Sequence, residues 1–491
     1  MYRLLVLISI AAMAACHSRP AYDTIIRNGM VYDGLGGQPY KADIAIMADT
    51  IAYIGNLSGR AANEEIDAHG MAVAPGFINM LSWATETLLQ DGRSQSDIRQ
   101  GVTTEIMGEG WSMGPLNATM KEGLKTGQGD IKFDVPWNTL GQYLQHLENK
   151  GISCNVASFV GATSVRIFVM GEEDRSPTPA EMDSMKSIVR LAMEEGALGL
   201  GSSLIYPPAF YAKTNELVEL CRAVQPYGGM YISHLRSEGN RFLEALEELI
   251  VISKESGIPA EVYHLKAAGR DNWPKMDSAI RRISRARNEG LSITADMYLY
   301  TAGATGLTSA FPPSLQDGGF GRLHQRLMDP AIRAQMKQAM NSNASDWENL
   351  YYAAGTPDNV LLIEFTKDSL KKYNGKSLAA VARMRGQTVE DCAMDLIVQD
   401  SSRVGTAYFL MDEENVKKQI ALPWMAFGSD AGSYANEGVF LKSSCHPRAY
   451  GNVARLLGKY VRVQKIISLQ EAIRKLTSLP ANNLKLAARP A

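Results

Sequence analysis

The chain has 491 residues, 45% of them hydrophobic and 21% charged, with a formal net charge of −2. This is an ordinary globular balance, long enough for one large domain with an appendage. With no Lys/Arg run standing out, there is no electrostatic case for nucleic acid, and a small-molecule partner is expected.

At the start of the chain, Met-Tyr-Arg precedes an apolar run from Leu4 to Ala15 that is too short to span a bilayer. This is the pattern of an export signal. It ends in Met13-Ala14-Ala15-Cys16, which resembles a lipobox, so residues 1–16 are expected to form a lipoprotein-type signal with Cys16 lipidated. The mature protein would then be periplasmic and membrane-anchored. The plainer alternative is cleavage at an Ala-x-Ala-like site beside an incidental cysteine. Residues 17–22 form a polar linker. Cys154, Cys221, Cys392 and Cys445 are scattered without any Cys-x-x-Cys and define no disulfide framework; buried free thiols are expected.

Alternating segments at 24–33 and 42–55, set off by Gly-rich turns, predict hairpins within a small β domain over 23–74. From Ala72-Val-Ala-Pro-Gly-Phe-Ile-Asn onward, apolar runs alternate with helical patterns such as 181–195 and 241–256, which predicts a parallel sheet. Eight candidate strands, at 76–83, 103–108, 154–161, 197–206, 229–235, 260–265, 292–298 and 424–429, predict an α/β fold of the (β/α)8 TIM type over 75–480. Between the seventh and eighth lies an insertion over roughly 305–412, with a helical pattern at 329–340, expected to cap the barrel mouth.

His234 and His264 each end one of these strands, in Ser-His-Leu-Arg and Tyr-His-Leu-Lys, one βα unit apart. Barrel enzymes assemble their sites at that end, where two such imidazoles can hold a metal. His17, His69, His146 and His324 lie in linker, strand-entry or polar helical settings and carry no such signal. A divalent metal also needs an anionic ligand and a position left for water. Glu109, just past the second strand, would point into the same mouth, although a loop carboxylate or helix cap is the alternative. Glu105, inside that strand, would more naturally face the helices or a salt bridge. Asp430 ends the last strand in Ala426-Phe-Gly-Ser-Asp-Ala-Gly. A carboxylate there can take a proton from the attacking water and hand it to a leaving amine. An Asx turn is the blander reading.

Taken in order, several stretches resemble the N-acyl-D-amino-acid deacylases, or D-aminoacylases, of the amidohydrolase superfamily. They are Ala74-Pro-Gly-Phe-Ile, Gly101-Val-Thr-Thr, Glu195-Gly-Ala-Leu-Gly-Leu, Leu204-Ile-Tyr-Pro-Pro, Ser233-His-Leu-Arg-Ser-Glu-Gly, His264-Leu-Lys, Asp296-Met-Tyr-Leu-Tyr-Thr-Ala-Gly, Gly428-Ser-Asp and His446-Pro-Arg-Ala-Tyr-Gly. The likeness runs from Thr24 to Leu484. It implies a zinc-dependent barrel that hydrolyses the acyl amide of an N-acyl-D-amino acid, with His234 and His264 as ligands and Asp430 as the catalytic carboxylate. An amino-acid carboxylate needs cationic or hydroxyl donors in a dry pocket. Lys266, Tyr206, Tyr298, Arg236 and His446-Pro-Arg448 lie beside matched motifs. Lys266 and Tyr206 resemble the family's substrate positions best, while Arg448 reads equally as a structural ion pair.

There are departures. The family's first strand runs Pro-Gly-Phe-Ile-Asp-x-His-x-His, and here Leu81 and Trp83 stand in the places of the two histidines. The second metal position of the superfamily should therefore be missing, leaving one zinc. The family's cysteine ligand after the second strand is also absent, with Glu109 as the replacement. The strands that would complete the small β domain are not found in residues 481–491, so its sheet is expected to show an exposed edge. The competing readings are a cyclic amidase or D-residue dipeptidase, and a non-catalytic periplasmic binding protein.

Overall fold

The computed structural model describes residues 22–344 and 346–486; the expected signal, Cys16, linker residues 17–21 and residues 487–491 lie outside the described residues, while Tyr22, expected to end the linker, opens the first strand. The chain divides after Pro75 into two compact units. The first is a five-stranded sheet of β1 (Tyr22–Val31), β2 (Tyr40–Met47), β3 (Thr50–Gly55), β4 (Ala62–Asp67) and β5 (Ala72–Val73). The predicted hairpins are β1 with β2 and β2 with β3, both antiparallel, whereas β4 and β5 lie parallel to β1. Segment 42–55 is two strands rather than one because the chain turns at Ala48, which has a φ of +52°. Only Ile25, Ala45 and Leu57 form this sheet's buried cluster. Among the described residues β3 pairs with β2 alone, so one side of its backbone is an unpaired edge there.

The second unit is a (β/α)8 barrel with an insertion. Its strands β6 (Phe77–Asn79), β7 (Val102–Met107), β8 (Asn155–Ser158), β9 (Val160–Gly161), β10 (Gly199–Ser203), β11 (Met230–His234), β12 (Ala260–Val262) and β13 (Ile293–Met297) run parallel in sequence order around the wall. All eight predicted strands are present, most of them shorter than predicted. The third is split at Phe159, whose N–H goes back to Met107 O while Ser158 O receives Leu198 N–H; pairing passes there from one neighbour to the other.

The insertion was expected to carry helix over 329–340, and it does, as Pro330–Met340 capped by Asp329. It also builds a sheet the sequence reading did not anticipate: β14 (Ala302–Gly306), β15 (Val360–Glu364), β16 (Lys376–Ser377) and β17 (Gly405–Phe409), antiparallel in the order β14-β17-β15-β16. Leu307, Phe311, Met336, Leu362 and Ile397 belong to a separate buried cluster beneath it.

β18 (Met425–Phe427) then returns to the barrel beside β13. Closure against β6 is made by a seam of single hydrogen bonds. Met80 N–H donates to Phe427 O at 3.1 Å, Asp430 N–H to Leu81 O at 2.8 Å, Trp83 N–H to Ala431 O at 2.9 Å, and Ser429 N–H to Asn79 Oδ1 at 2.7 Å.

The outer helices form for ordinary reasons. Pro179–Glu194 begins with a capping box in which Thr178 and Glu181 each accept the other's backbone N–H, with Pro179 at the first helical position. It buries Met185, Val189, Ala192 and Met193, a stripe at helical spacing packed on the barrel wall, each large side chain contributing roughly 1.5–3 kcal/mol of burial. The four cysteines are free, three of them buried and Cys445 half-buried. Among the described residues no helix is long and apolar enough to cross a membrane.

Candidate metal centre

Two glycines decide where Glu109 goes. Gly108 and Gly110 have φ values of +103° and +70°. A Cβ at Gly108 would lie 2.3 Å from Phe159 O, and one at Gly110 would lie 2.6 Å from Ser203 Cβ. Only glycine permits both the conformation and the close approach. The loop leaving β7 is thus pressed onto its neighbours, and Glu109 between them is turned inward, buried with His234 and His264. His234 is the last residue of β11, while His264 lies two residues beyond β12 with a φ of +34°. That unusual backbone is held by its N–H donating to Asp296 Oδ1 at 2.9 Å. Asp430, past β18, also has a left-handed φ, +49°.

The structure brings the three expected ligands together: ligand atoms of Glu109, His234 and His264 all lie within 4.8 Å of one another. His264 Nε2 is 2.9 Å from Glu109 Oε1, and the two imidazoles meet edge to face with centroids 4.6 Å apart. Ser203 Oγ donates to the same Glu109 oxygen at 3.3 Å. Behind the imidazoles stands Glu238, a residue in the Ser-His-Leu-Arg-Ser-Glu-Gly stretch to which the sequence reading gave no role. Its Oε1 is 3.1 Å from His264 Nδ1, 3.5 Å from His234 Nδ1, and accepts from Lys266 Nζ at 2.5 Å. Its backbone N–H donates to Glu348 Oε2, so the insertion braces the centre from outside. Only its spacing, four residues past a ligand, signalled it.

Burial opposes ionisation of every group here, and neighbouring charge overcomes it at His264 and Glu109 but not at His234 or Asp430. Desolvation pushes His234 down to about 4, leaving it neutral. For His264, burial and Lys266 are outweighed by Glu109 and Glu238, and its pKa rises to about 10. Glu109 is held below the ordinary carboxylate range because His264, His234 and Lys266 overcome its desolvation. Asp430 moves the other way: burial exceeds the help it receives from Arg448.

Asp430 faces this cluster. Its Oδ2 pairs with Arg448 Nη1 at 2.7 Å, and the Arg448 guanidinium lies 4.5 Å over the Tyr298 ring. Lys266 Nζ lies 5.5 Å from the same ring, and Tyr206 meets His234 edge-on at 5.5 Å. Lys266, Tyr206, Tyr298 and Arg448 therefore surround the imidazole pair. Arg236 is held away from this role: each of its guanidinium nitrogens donates to Glu248, Phe210 O or Ala212 O. His446 bonds to Ala302 O and to the Arg448 backbone, a structural role. From the insertion, Met411 Sδ receives Tyr298 OH at 3.6 Å, and Arg403 stacks 5.1 Å over Tyr206.

The two first-strand departures separate. Leu81 is fully buried among Ile78, Met80, Ile106 and Ala426. Trp83 reaches the site, and its indole Nε1–H is directed at both Glu109 Oε2, 2.9 Å away, and Asp430 Oδ1, 3.1 Å away. Of the two surroundings expected for Glu105, the helices or a salt bridge, the charge acting on it is Asp97 of the helix Gln95–Ile98. Glu105 is buried against Ser82, with no ion pair among the described residues.

A carboxylate and two imidazoles at the C-terminal end of a (β/α)8 barrel, opposite a strand-end aspartate, define the metal-dependent amidohydrolase class. No family model matches the chain. It is 30% identical over 481 residues to a D-aminoacylase of Alcaligenes xylosoxydans xylosoxydans, covering 97% of this chain and 87% of that protein, and it belongs to the D-aminoacylase family. The N-acyl-D-glutamate deacylase of Bordetella bronchiseptica, solved with zinc and a phosphonate mimic of the tetrahedral intermediate, is similar at a TM-score of 0.77 and 26% identity, over 96% of this chain and 87% of that one. A solved D-aminoacylase described for one-metal activation and second-metal attenuation of its binuclear centre is similar at a TM-score of 0.75 and 28% identity, over 95% and 87%.

Proposed function

We propose that the chain is a metal-dependent hydrolase that cleaves the acyl amide bond of N-acyl-D-amino acids, working with a single zinc ion. The observation that carries this reading is the buried cluster of Glu109, His234 and His264 in a chain of this family. The donors fit zinc. Two imidazoles and one carboxylate are a donor set that would hold zinc, and His234 Nδ1 is buried with no hydrogen-bond partner. The chemistry a zinc ion would supply there is that of a Lewis acid toward the scissile carbonyl and the attacking water.

The chain's own residues supply the rest. Glu238 and Lys266 hold the His264 ring from behind, fixing its orientation. Asp430 takes a proton from the attacking water onto a carboxylate oxygen and delivers it to the departing nitrogen. Arg448, whose Nη1 is paired with Asp430 but whose Nε is buried without a hydrogen bond, retains a donor for the substrate carboxylate, beside Lys266, Tyr206 and Tyr298. The insertion's Met411 and Arg403 lie against these tyrosines and help keep the pocket dry.

Asp430→Asn tests the reading. With zinc content unchanged, kcat on N-acetyl-D-amino acids is expected to fall at least about a hundredfold. Full activity in that variant, or no metal in active protein by elemental analysis, overturns it. Assaying the L-enantiomers, dihydropyrimidines and D-residue dipeptides alongside fixes the substrate class. We also propose that the protein is exported and anchored through Cys16, supported by the apolar leader and the lipobox-like Met13-Ala14-Ala15-Cys16. Membrane fractionation of the full chain and of Cys16→Ser reads this directly.

A further inference from the structure

Glu109, buried, and Asp430, half-buried, are two carboxylates, one from the β7 end and one from the β18 end, that converge on the same point. Each has one oxygen already engaged: Glu109 Oε1 by His264 and Ser203, Asp430 Oδ2 by Arg448. The remaining two, Glu109 Oε2 and Asp430 Oδ1, are reached by one and the same donor, the Trp83 indole N–H. Like charges brought together out of water repel strongly unless something positive lies between them. A divalent cation bridging the two free oxygens would serve, as would a hydrogen-bond donor. In this chain the donor is present, and Leu81, two residues earlier, is buried in an apolar cluster with no ligand atom to offer.

We propose that Trp83 is a positioning residue that stands in for a second metal: its indole N–H, shared by Glu109 Oε2 and Asp430 Oδ1, keeps the first carboxylate aimed at the imidazoles and the second at the substrate, while its ring closes the second cation position. The bridge is neutral, so it aligns the two carboxylates without adding positive charge. Glu109 stays committed to the His234–His264 side through its other oxygen. Asp430 keeps a basic oxygen that a bridging cation would have claimed. Indole is suited to this because it is a donor only, with no lone pair to offer a metal. The backbone holds it there: Trp83 N–H donates to Ala431 O, so the indole and Asp430 are fixed on facing sides of the same seam.

The test uses the zinc-loaded full chain, and its metal arm stands apart from the deacylase reading. After equilibration with excess zinc and removal of free metal, the wild-type protein is expected to hold one equivalent. Trp83→His, which replaces the plug with a ligand, is expected to take up a second, weaker equivalent in a calorimetric titration. Two equivalents in the wild type, or only one in Trp83→His, overturns the proposal. Trp83→Phe keeps the plug and removes the N–H. It is expected to hold one zinc yet lose about tenfold in kcat on N-acetyl-D-amino acids, with KM unchanged. Unchanged kcat in a folded Trp83→Phe variant also overturns it. Because Trp83 is 36% exposed, neither change empties the core, and thermal unfolding of each variant confirms the fold. If wild-type protein hydrolyses no N-acyl amino acid while the metal stoichiometries come out as expected, the deacylase reading fails and the role of Trp83 in excluding the second cation stands.

Discussion

Glu238 carries more of the site's order than any ligand does. It lies against His264, His234 and Lys266 at once, and its backbone is tied to Glu348. Groups that orient a metal's ligands commonly change affinity 10–100-fold when altered. Glu238→Gln is therefore expected to lower zinc affinity about tenfold or more, measured by competition with a chelator, and also to lower the thermal midpoint of the zinc-free protein, because the buried Lys266 ammonium loses its anionic partner. Unaltered affinity would mean the imidazoles are held by packing alone. His234, His264, Glu109 and Asp430 were legible in the sequence because each closes a strand, and the strand ends of a barrel converge. Glu238 was not, since its loop must fold back before it meets the rings. Trp83 was read only as a missing ligand. That its N–H would join two carboxylates from strands far apart in the chain is a property of the closed barrel and leaves no local pattern.

β7 shows how a strand can carry a cost. Its Glu105 is fully buried, accepts from Ser82 Oγ at 2.7 Å, and leaves its other oxygen unpartnered. Burial first, then the nearby Asp97, raises its pKa to about 8, against an ordinary value of 4.5. The folded state therefore binds this proton more tightly than the unfolded state does. Its contribution to stability is fully present below about pH 4.5 and is lost as pH rises through 8. The thermal midpoint is expected to decline from pH 6 to pH 9 in the wild type and to decline less in Glu105→Gln. Parallel slopes would assign the carboxyl no part in it. The eight barrel strands could be found from short apolar runs at βα spacing. The insertion's sheet could not, because β14 is Ala-Gly-Ala-Thr-Gly and β16 is two residues long, too small and too short to show alternation.

At the scale of the whole molecule, the barrel places its first strand beside its last. β6 ends at Asn79 and β18 ends at Phe427, and between them lie the other barrel strands and an insertion with its own core. Trp83 and Asp430 face each other across that seam. Most of the secondary structure depends on local contacts, whereas this pair requires the longest loop closure in the barrel, and long-range pairing is slow. In refolding with zinc present, catalytic activity is expected to return more slowly than far-ultraviolet circular dichroism. Coincident recovery would contradict this. The consequence is one of timing during synthesis. Until residue 430 has been made the chain lacks the carboxylate proposed to transfer the proton, so a barrel without its last strand, however helical, is chemically silent.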